Sequence, residues 1–270
     1  KVTNAAAHHL LIRTGGSNDG VAVTNVTLSA DESFTLYAAA YDAYNNFISN
    51  FSCVWTSQNV AGFADATDTN YIFNAMTVTT NGMAYVTNET FNLFTNFSIR
   101  VNAGALSTIV VEDADSNDIA DSLTVTCDDA LALYSAGYDG DGNRIGLVPS
   151  YWWASSSLGS FSQTNATSSV YNFTNAGTVS IVASNVASGA TNAVLDINVA
   201  YGAGSYVVIQ SSNAAERFTV TNVTLSAGEV TNFFLSIFDA DNNFLGLTNG
   251  FWQLSGATGT LSASNDIDYV

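Results

Sequence analysis

The sequence predicts an all-β protein built from sandwich domains in tandem, and three observations carry that prediction. Val, Thr, Tyr, Phe and Ile are abundant, and Asn or Gly punctuates short runs about every 8–12 residues. There is a single proline, lysine is nearly absent, and no long apolar period of a helix appears. The octapeptide Val23-Thr24-Asn25-Val26-Thr27-Leu28-Ser29-Ala30 recurs unchanged at Val220 to Ala227, an offset of 197.

Between those copies lies a more divergent one, located by an aromatic-Asp turn. The turn reads Tyr41-Asp42-Ala43-Tyr44-Asn45-Asn46, then Tyr138-Asp139-Gly140-Asp141-Gly142-Asn143, then Phe238-Asp239-Ala240-Asp241-Asn242-Asn243. Its aspartates lie 97 and then 100 residues apart, which sum to the same 197. Thirteen residues after each stands Trp55, Trp152 or Trp252; twenty after each stands Gly62, Gly159 or Gly259. Each tryptophan has the bulk to fill the space between two sheets and is expected in the core.

The strand before each turn alternates with period two. Copy one sets Phe34, Leu36, Ala38 and Ala40 against Thr35, Tyr37, Ala39 and Tyr41; the first set is expected to point inward. The opposite face then exposes Tyr37 and Tyr41, with Tyr134 and Tyr138 or Phe234 and Phe238 as equivalents. Exposed aromatics can stack on sugars or pack against a neighbouring chain, unless later strands or linkers cover them. Asn45, Gly142 and Asn242 share one turn position. These residue types tolerate positive φ, so the turn is expected to close a hairpin.

Seven or so strands in about 98 residues around a tryptophan fit a two-sheet sandwich. At this point the chain resembles the bacterial immunoglobulin-like domains of the invasin and intimin type. Their alternating strand, Asp-Ala-x-Gly-Asn-Pro-Val turn and tryptophan strand correspond to Asp139-Gly140-Asp141-Gly142-Asn143-Arg144-Ile145 and its two sisters. The usual proline is replaced by Phe47, Arg144 and Phe244. The resemblance implies tandem immunoglobulin-like Greek-key β-sandwiches arranged as a rod, in an extracellular surface protein. The expected domains are 1–104, 105–203 and 204–270. Ser262 to Val270 aligns with Ser162 to Val170, so the third domain is expected to be incomplete, with its closing strands either following in the parent protein or arriving from another chain.

With 23 acidic and 5 basic residues the net charge is −18. That excludes a nucleic-acid binder, which needs clustered Lys and Arg, and docking on anionic lipid. No run reaches the apolar length of a membrane span, so membrane insertion is not expected, and no signal peptide is visible. The excess negative charge fits calcium binding, a salty environment, or solubility alone. Calcium is the one cofactor suggested. Asp139, Asp141 and Asn143 place oxygen ligands at alternate positions, as do Asp239, Asp241 and Asn243. Each set reads either as a calcium loop or as a polar hairpin turn, and copy one has Tyr44 in place of the second acid. Asp113, Asp115 and Asn117, in the acidic run from Glu112 to Asp118 with Asp121 beyond, read either as a calcium site near a domain joint or as a solvated loop.

His8 and His9 are the only histidines, with no carboxylate or cysteine at ligating spacing. There is no nucleophile elbow and no phosphate loop. Cys53 and Cys127 are expected to be small buried hydrophobes and not a disulfide. The sequence therefore points to a non-enzymatic structural or adhesive protein. Its expected partners are other copies of itself, neighbouring surface proteins or glycans. A filament subunit completed by an exchanged strand and a carbohydrate-binding accessory module of a secreted enzyme are the alternatives.

Overall fold

The computed structural model describes residues 5–119, 122–211, 218–256, 260, 265–266 and 268–269, and among them every regular element is a β-strand. By contact the chain forms two compact units. One comprises 1–110 with 136–148 and 185–192; the other comprises 111–135 with 149–184 and 193–270.

The first unit holds a complete two-sheet sandwich. Its strands are β1 (Ala7–Arg13), β2 (Asn25–Ser29), β3 (Ser33–Asp42), β4 (Phe47–Asn50), β5 (Cys53–Gln58), β6 (Ala66–Asp68), β7 (Asn70–Asn74), β8 (Thr79–Asn88) and β9 (Leu93–Asn102). One sheet has β3 at its centre, with β1 along one edge and β7 and β4 sharing the other. The opposing sheet runs β2-β9-β8-β5-β6. Its strand β2 lies parallel to β9, pairing Asn25 with Ser98 through Ser29 with Asn102. Alternation decides what is buried: on β9, Phe97, Ile99 and Val101 face in while Arg100 and Asn102 face out. Trp55 is fully buried between the sheets and donates its indole N–H to the Asp68 carbonyl at 3.0 Å. Burying an indole without that acceptor would leave a costly orphan donor. Tyr71, Phe63 and Phe73 continue the row of ring contacts from it, with Phe63 stacked on Tyr71.

The next strands are β10 (Thr108–Glu112), β11 (Leu123–Thr126), β12 (Ala130–Tyr138), β13 (Arg144–Leu147), β14 (Ser150–Ala154), β15 (Gly159–Phe161), β16 (Asn165–Ala166), β17 (Ser168–Phe173), β18 (Gly177–Ser184) and β19 (Ala193–Ala200). They repeat the pattern. β10-β12-β17-β15, with β13 on β12, form one sheet, and β11-β19-β18-β14-β16 form the other. Here β11 runs parallel to β19. Trp152 is fully buried, its indole N–H 3.0 Å from the Ala166 carbonyl, with Phe161, Tyr171 and Phe173 beyond.

The third set is β20 (Tyr206–Gln210), β21 (Phe233–Phe238), β22 (Phe244–Leu247) and β23 (Gly250–Phe251), with the short strands β24 (Asn265–Asp266) and β25 (Asp268–Tyr269). Their register copies the second set at an offset of 100. Phe234 pairs with Asp268 as Tyr134 pairs with Ser168, and Phe251 pairs with Asn265 as Tyr151 pairs with Asn165. Trp252 is half-buried. Gly259 and most of 262–270 lie outside the described residues. Among the described residues no sheet joins strands of one set to those of another. The architecture is therefore all-β, with immunoglobulin-like sandwiches in series.

Candidate functional site: the aspartate turns and the joints they build

Each turn after the central strand is an Asx turn with one design. In the second copy, Asp139 Oδ1 accepts the backbone N–H groups of Asp141 (3.1 Å) and Asn143 (2.7 Å), while Oδ2 accepts the Asn143 amide at 2.8 Å. The third copy repeats this with Asp239, Asp241 and Asn243. The first copy does so with Asp42, Tyr44 and Asn46. Short Asp and Asn side chains satisfy nearby backbone donors that a sheet cannot reach. A bulge precedes each turn at the same place. Asn45, Gly142 and Asn242 have φ of 62°, 83° and 69°, the left-handed geometry expected of that position.

As folded, these turns are Asx turns closed by N–H donors. The aspartate and asparagine face each other with N–H donors between them, and an N–H group cannot ligate a cation. The middle acids Asp141 and Asp241 contribute their backbone N–H groups to the turn, and Tyr44 serves equally well there. Asp113, Asp115 and Asn117 form a fourth copy of this turn, with Asp113 Oδ1 accepting N–H groups from Asp115 and Asn117, both at 2.9 Å. Among the described residues no group of three or more His, Cys, Asp and Glu side chains is placed to hold a metal ion. Asp121 lies outside the described residues.

What the turns do hold is backbone from the preceding copy. Within the first unit, Asp139 Oδ2 also accepts the N–H of Gly104 at 2.7 Å. Asn143 donates its amide to the Met76 carbonyl (2.8 Å) and accepts the Val78 N–H (3.1 Å). Asp31 closes the other side by accepting the Ala105 N–H at 3.2 Å. Within the second unit the set recurs. Asp239 Oδ2 accepts the Gly202 N–H at 3.2 Å, Asn243 donates to the Thr174 carbonyl at 3.0 Å, and Asp128 accepts the Ala203 N–H at 2.9 Å. A Cβ on Gly104 or Gly202 would collide with the carboxylate of Asp31 or Asp128, so a larger residue at either place would have to displace that side chain and its bond to the linker. One chemical difference is Cys127, which takes the place of Ala30. Its thiol lies 3.5 Å from Asp239 Oδ2 and 3.3 Å from the Asn243 amide.

The electrostatics follow from these bonds. The Asn46 amide, against the opposing pull of burial, holds the Asp42 carboxyl down to about 2. Burial by itself would raise the Asp139 carboxyl, but the donors of Gly104 and Asn143 outweigh it and hold it below the ordinary value. Asp239 is lowered in the same way, burial opposing and Asn243 prevailing. Burial pushes the Cys53 thiol up to about 11 and raises that of Cys127, so both stay protonated and unreactive at neutral pH. Both are free.

Of the two alternatives the sequence left open for the aromatic face, the structure places these rings under cover. Tyr41 is only 5% exposed, and Tyr37, Tyr134, Tyr138, Phe234 and Phe238 are half-buried. The His9 ring stacks on Tyr41 at 5.6 Å, Phe47 meets its edge, and Arg13 and Asn18 bond its hydroxyl. In the third copy Tyr206 and Phe244 surround Phe238 in the same way. Period two in β3 holds, but the neighbouring strand and the loop after β1 cover the second face, so Ala39 is as buried as Ala38. The joint acids Asp31 and Asp128 escaped sequence reasoning, whereas Gly104 and Gly202 lie at the domain boundaries it expected. Their recurrence at offsets of 97 and 98 was available in the sequence.

No family model matches the chain, and no curated protein matches it. Solved structures that resemble it include the Escherichia coli adhesin FdeC, at 16% identity and a TM-score of 0.44 over 99% of this chain and 89% of that one. The D00-D0 domain of intimin aligns at 12% identity and 0.37, over 70% and 98%. Domains 4–9 of the surface layer protein SbsC align at 16% and 0.30, over 96% of this chain and 42% of theirs. At such values the likeness is one of outline, and the fold itself follows from the strand pairing.

Proposed function

We propose that this chain is a non-catalytic structural or adhesive element of an extracellular surface, a stalk segment whose repeats, bounded near 104 and 203, are clasped in sequence. The observation that supports this most is the recurring joint. Two successive turn aspartates each hold the linker that enters their own repeat, and two turn asparagines each hold a loop carbonyl of the repeat before. Such a joint is held by the chain's own hydrogen bonds. It resists relative motion through charge-assisted hydrogen bonds, which are about twice as strong as neutral ones. A catalytic protein would need convergent reactive groups. Here the two histidines sit together on β1, and both thiols are buried and unreactive. The acidic, lysine-poor surface also suits a molecule displayed in salt.

Surface display is the test. Antibody raised against the chain is expected to label intact cells of the producing organism, and brief protease treatment of whole cells is expected to remove the signal. Labelling only after lysis, with the protein in the cytosolic fraction, would overturn the reading.

A further inference from the structure

The outer face of the β11-β19-β18-β14-β16 sheet divides into two halves. At one end Trp153 pairs across to Val182, and Val182 to Val194. Trp153, Tyr151 and Val194 are 45%, 54% and 55% exposed. Residues two apart on a strand lie on one face about 7 Å apart, so the two rings offer neighbouring flat surfaces. At the other end a groove of about 390 Å³ is lined by Ser122, Ser155, Thr178, Ser180, Asp196 and Asn198. Ser180 bonds Asp196 there, and both are exposed enough to meet a ligand. Aromatic rings beside a row of hydroxyl, amide and carboxylate groups match a molecule with apolar C–H faces and many hydroxyl edges. None of the five Lys and Arg residues lies in this sheet, and the net charge of −18 repels anions. The third copy places exposed Phe251 at the position of Tyr151.

We infer that this face binds a neutral polysaccharide chain, stacked on Trp153 and Tyr151 with its hydroxyls directed to Asp196 and its neighbours. This surface is separate from the joints and stands or falls independently of the stalk reading. The test titrates the full chain with cellohexaose, xylohexaose, maltohexaose and chitohexaose, followed by tryptophan fluorescence and by pull-down on the corresponding polymers. At least one is expected to bind saturably and shift the fluorescence. Trp153→Ala is expected to weaken that binding about tenfold. Asp196→Asn is expected to weaken it about threefold without changing the circular dichroism spectrum. Phe94→Ala, which removes an exposed aromatic of the first sandwich, is expected to leave it unchanged. Absence of binding to every sugar at millimolar concentration would overturn the proposal. So would binding that survives Trp153→Ala with Tyr151→Ala, or self-association lost in Trp153→Ala in place of any sugar binding.

Discussion

The octapeptide at Val23–Ala30 and its identical twin at Val220–Ala227 adopt different structures. In the first copy Asn25–Ser29 is a strand, held parallel to β9, with Leu28 buried at 7% and Ala30 at 1% exposure. In the third copy no strand forms over the same letters, and Val223 and Leu225 are 51% and 47% exposed. The difference lies in the partner. The first copy offers β9 and the second offers β19, while no counterpart pairs with 220–227 among the described residues of the third. Strand propensity is a fit to a neighbour more than a property of the peptide. Trp55 and Trp252 repeat the lesson: the same residue in the same register is fully buried in one copy and half-buried in the other.

Hydrogen exchange would sharpen the comparison most. The amides of Val26 and Leu28, which face β9 in the parallel pairing, are expected to exchange at least about 1,000-fold more slowly than those of Val223 and Leu225, a gap of about 4 kcal/mol. Adding a peptide with the sequence Leu93–Asn102 is expected to slow exchange at Val223 and Leu225; protection of both copies without it would break the account. Next in size, Trp55→Ala should cost about 3–5 kcal/mol of the first sandwich in urea unfolding, and Trp252→Ala less than half of that. Equal losses would contradict the burial difference.

Smaller effects belong to the turns. Asp139→Ala removes the acceptor of three backbone N–H groups and the Asn143 amide, and is expected to cost about 1–3 kcal/mol. Asp141→Ala is expected to stay within about 0.5 kcal/mol, because its carboxylate bonds nothing in the turn. An Asp141 effect as large as that of Asp139 would favour a cation loop, as would any change in Tm on adding calcium or excess chelator; none is expected. Acid titration adds a direction. Asp42, Asp139 and Asp239 bind their protons less readily when folded than the ordinary carboxyl value of about 3.9. The unfolded chain therefore takes up protons first as pH falls. Stability from these groups is complete above that value and is lost as pH drops toward about 2, the folded value of Asp42. A melting temperature that rises between pH 4 and pH 2 would contradict this.

Much of the fold was legible because it is periodic. The Asp, Trp and Gly landmarks located three copies, and the residue types at Asn45, Gly142 and Asn242 predicted left-handed turns that the backbone adopts. The site was legible only in part. Asp-x-Asp-x-Asn reads equally as a cation loop or an Asx turn, and the choice depends on where N–H groups point, which composition does not reveal. Tyr44 in copy one was the available hint, since the turn forms there without a middle acid. The face carrying Tyr41 stayed open between exposure and cover because period two says which residues share a side, not whether another segment covers it.

The joint is the centre of the account, and backbone ¹⁵N relaxation across the first one tests it most directly. Residues 7–102 and the amides of 136–148 are expected to report a single rotational correlation time. The double variant Asp139→Ala, Asn143→Ala is expected to split them into two shorter ones while each segment stays folded. Independent tumbling in the unaltered chain, or a single correlation time that survives both substitutions, would contradict it.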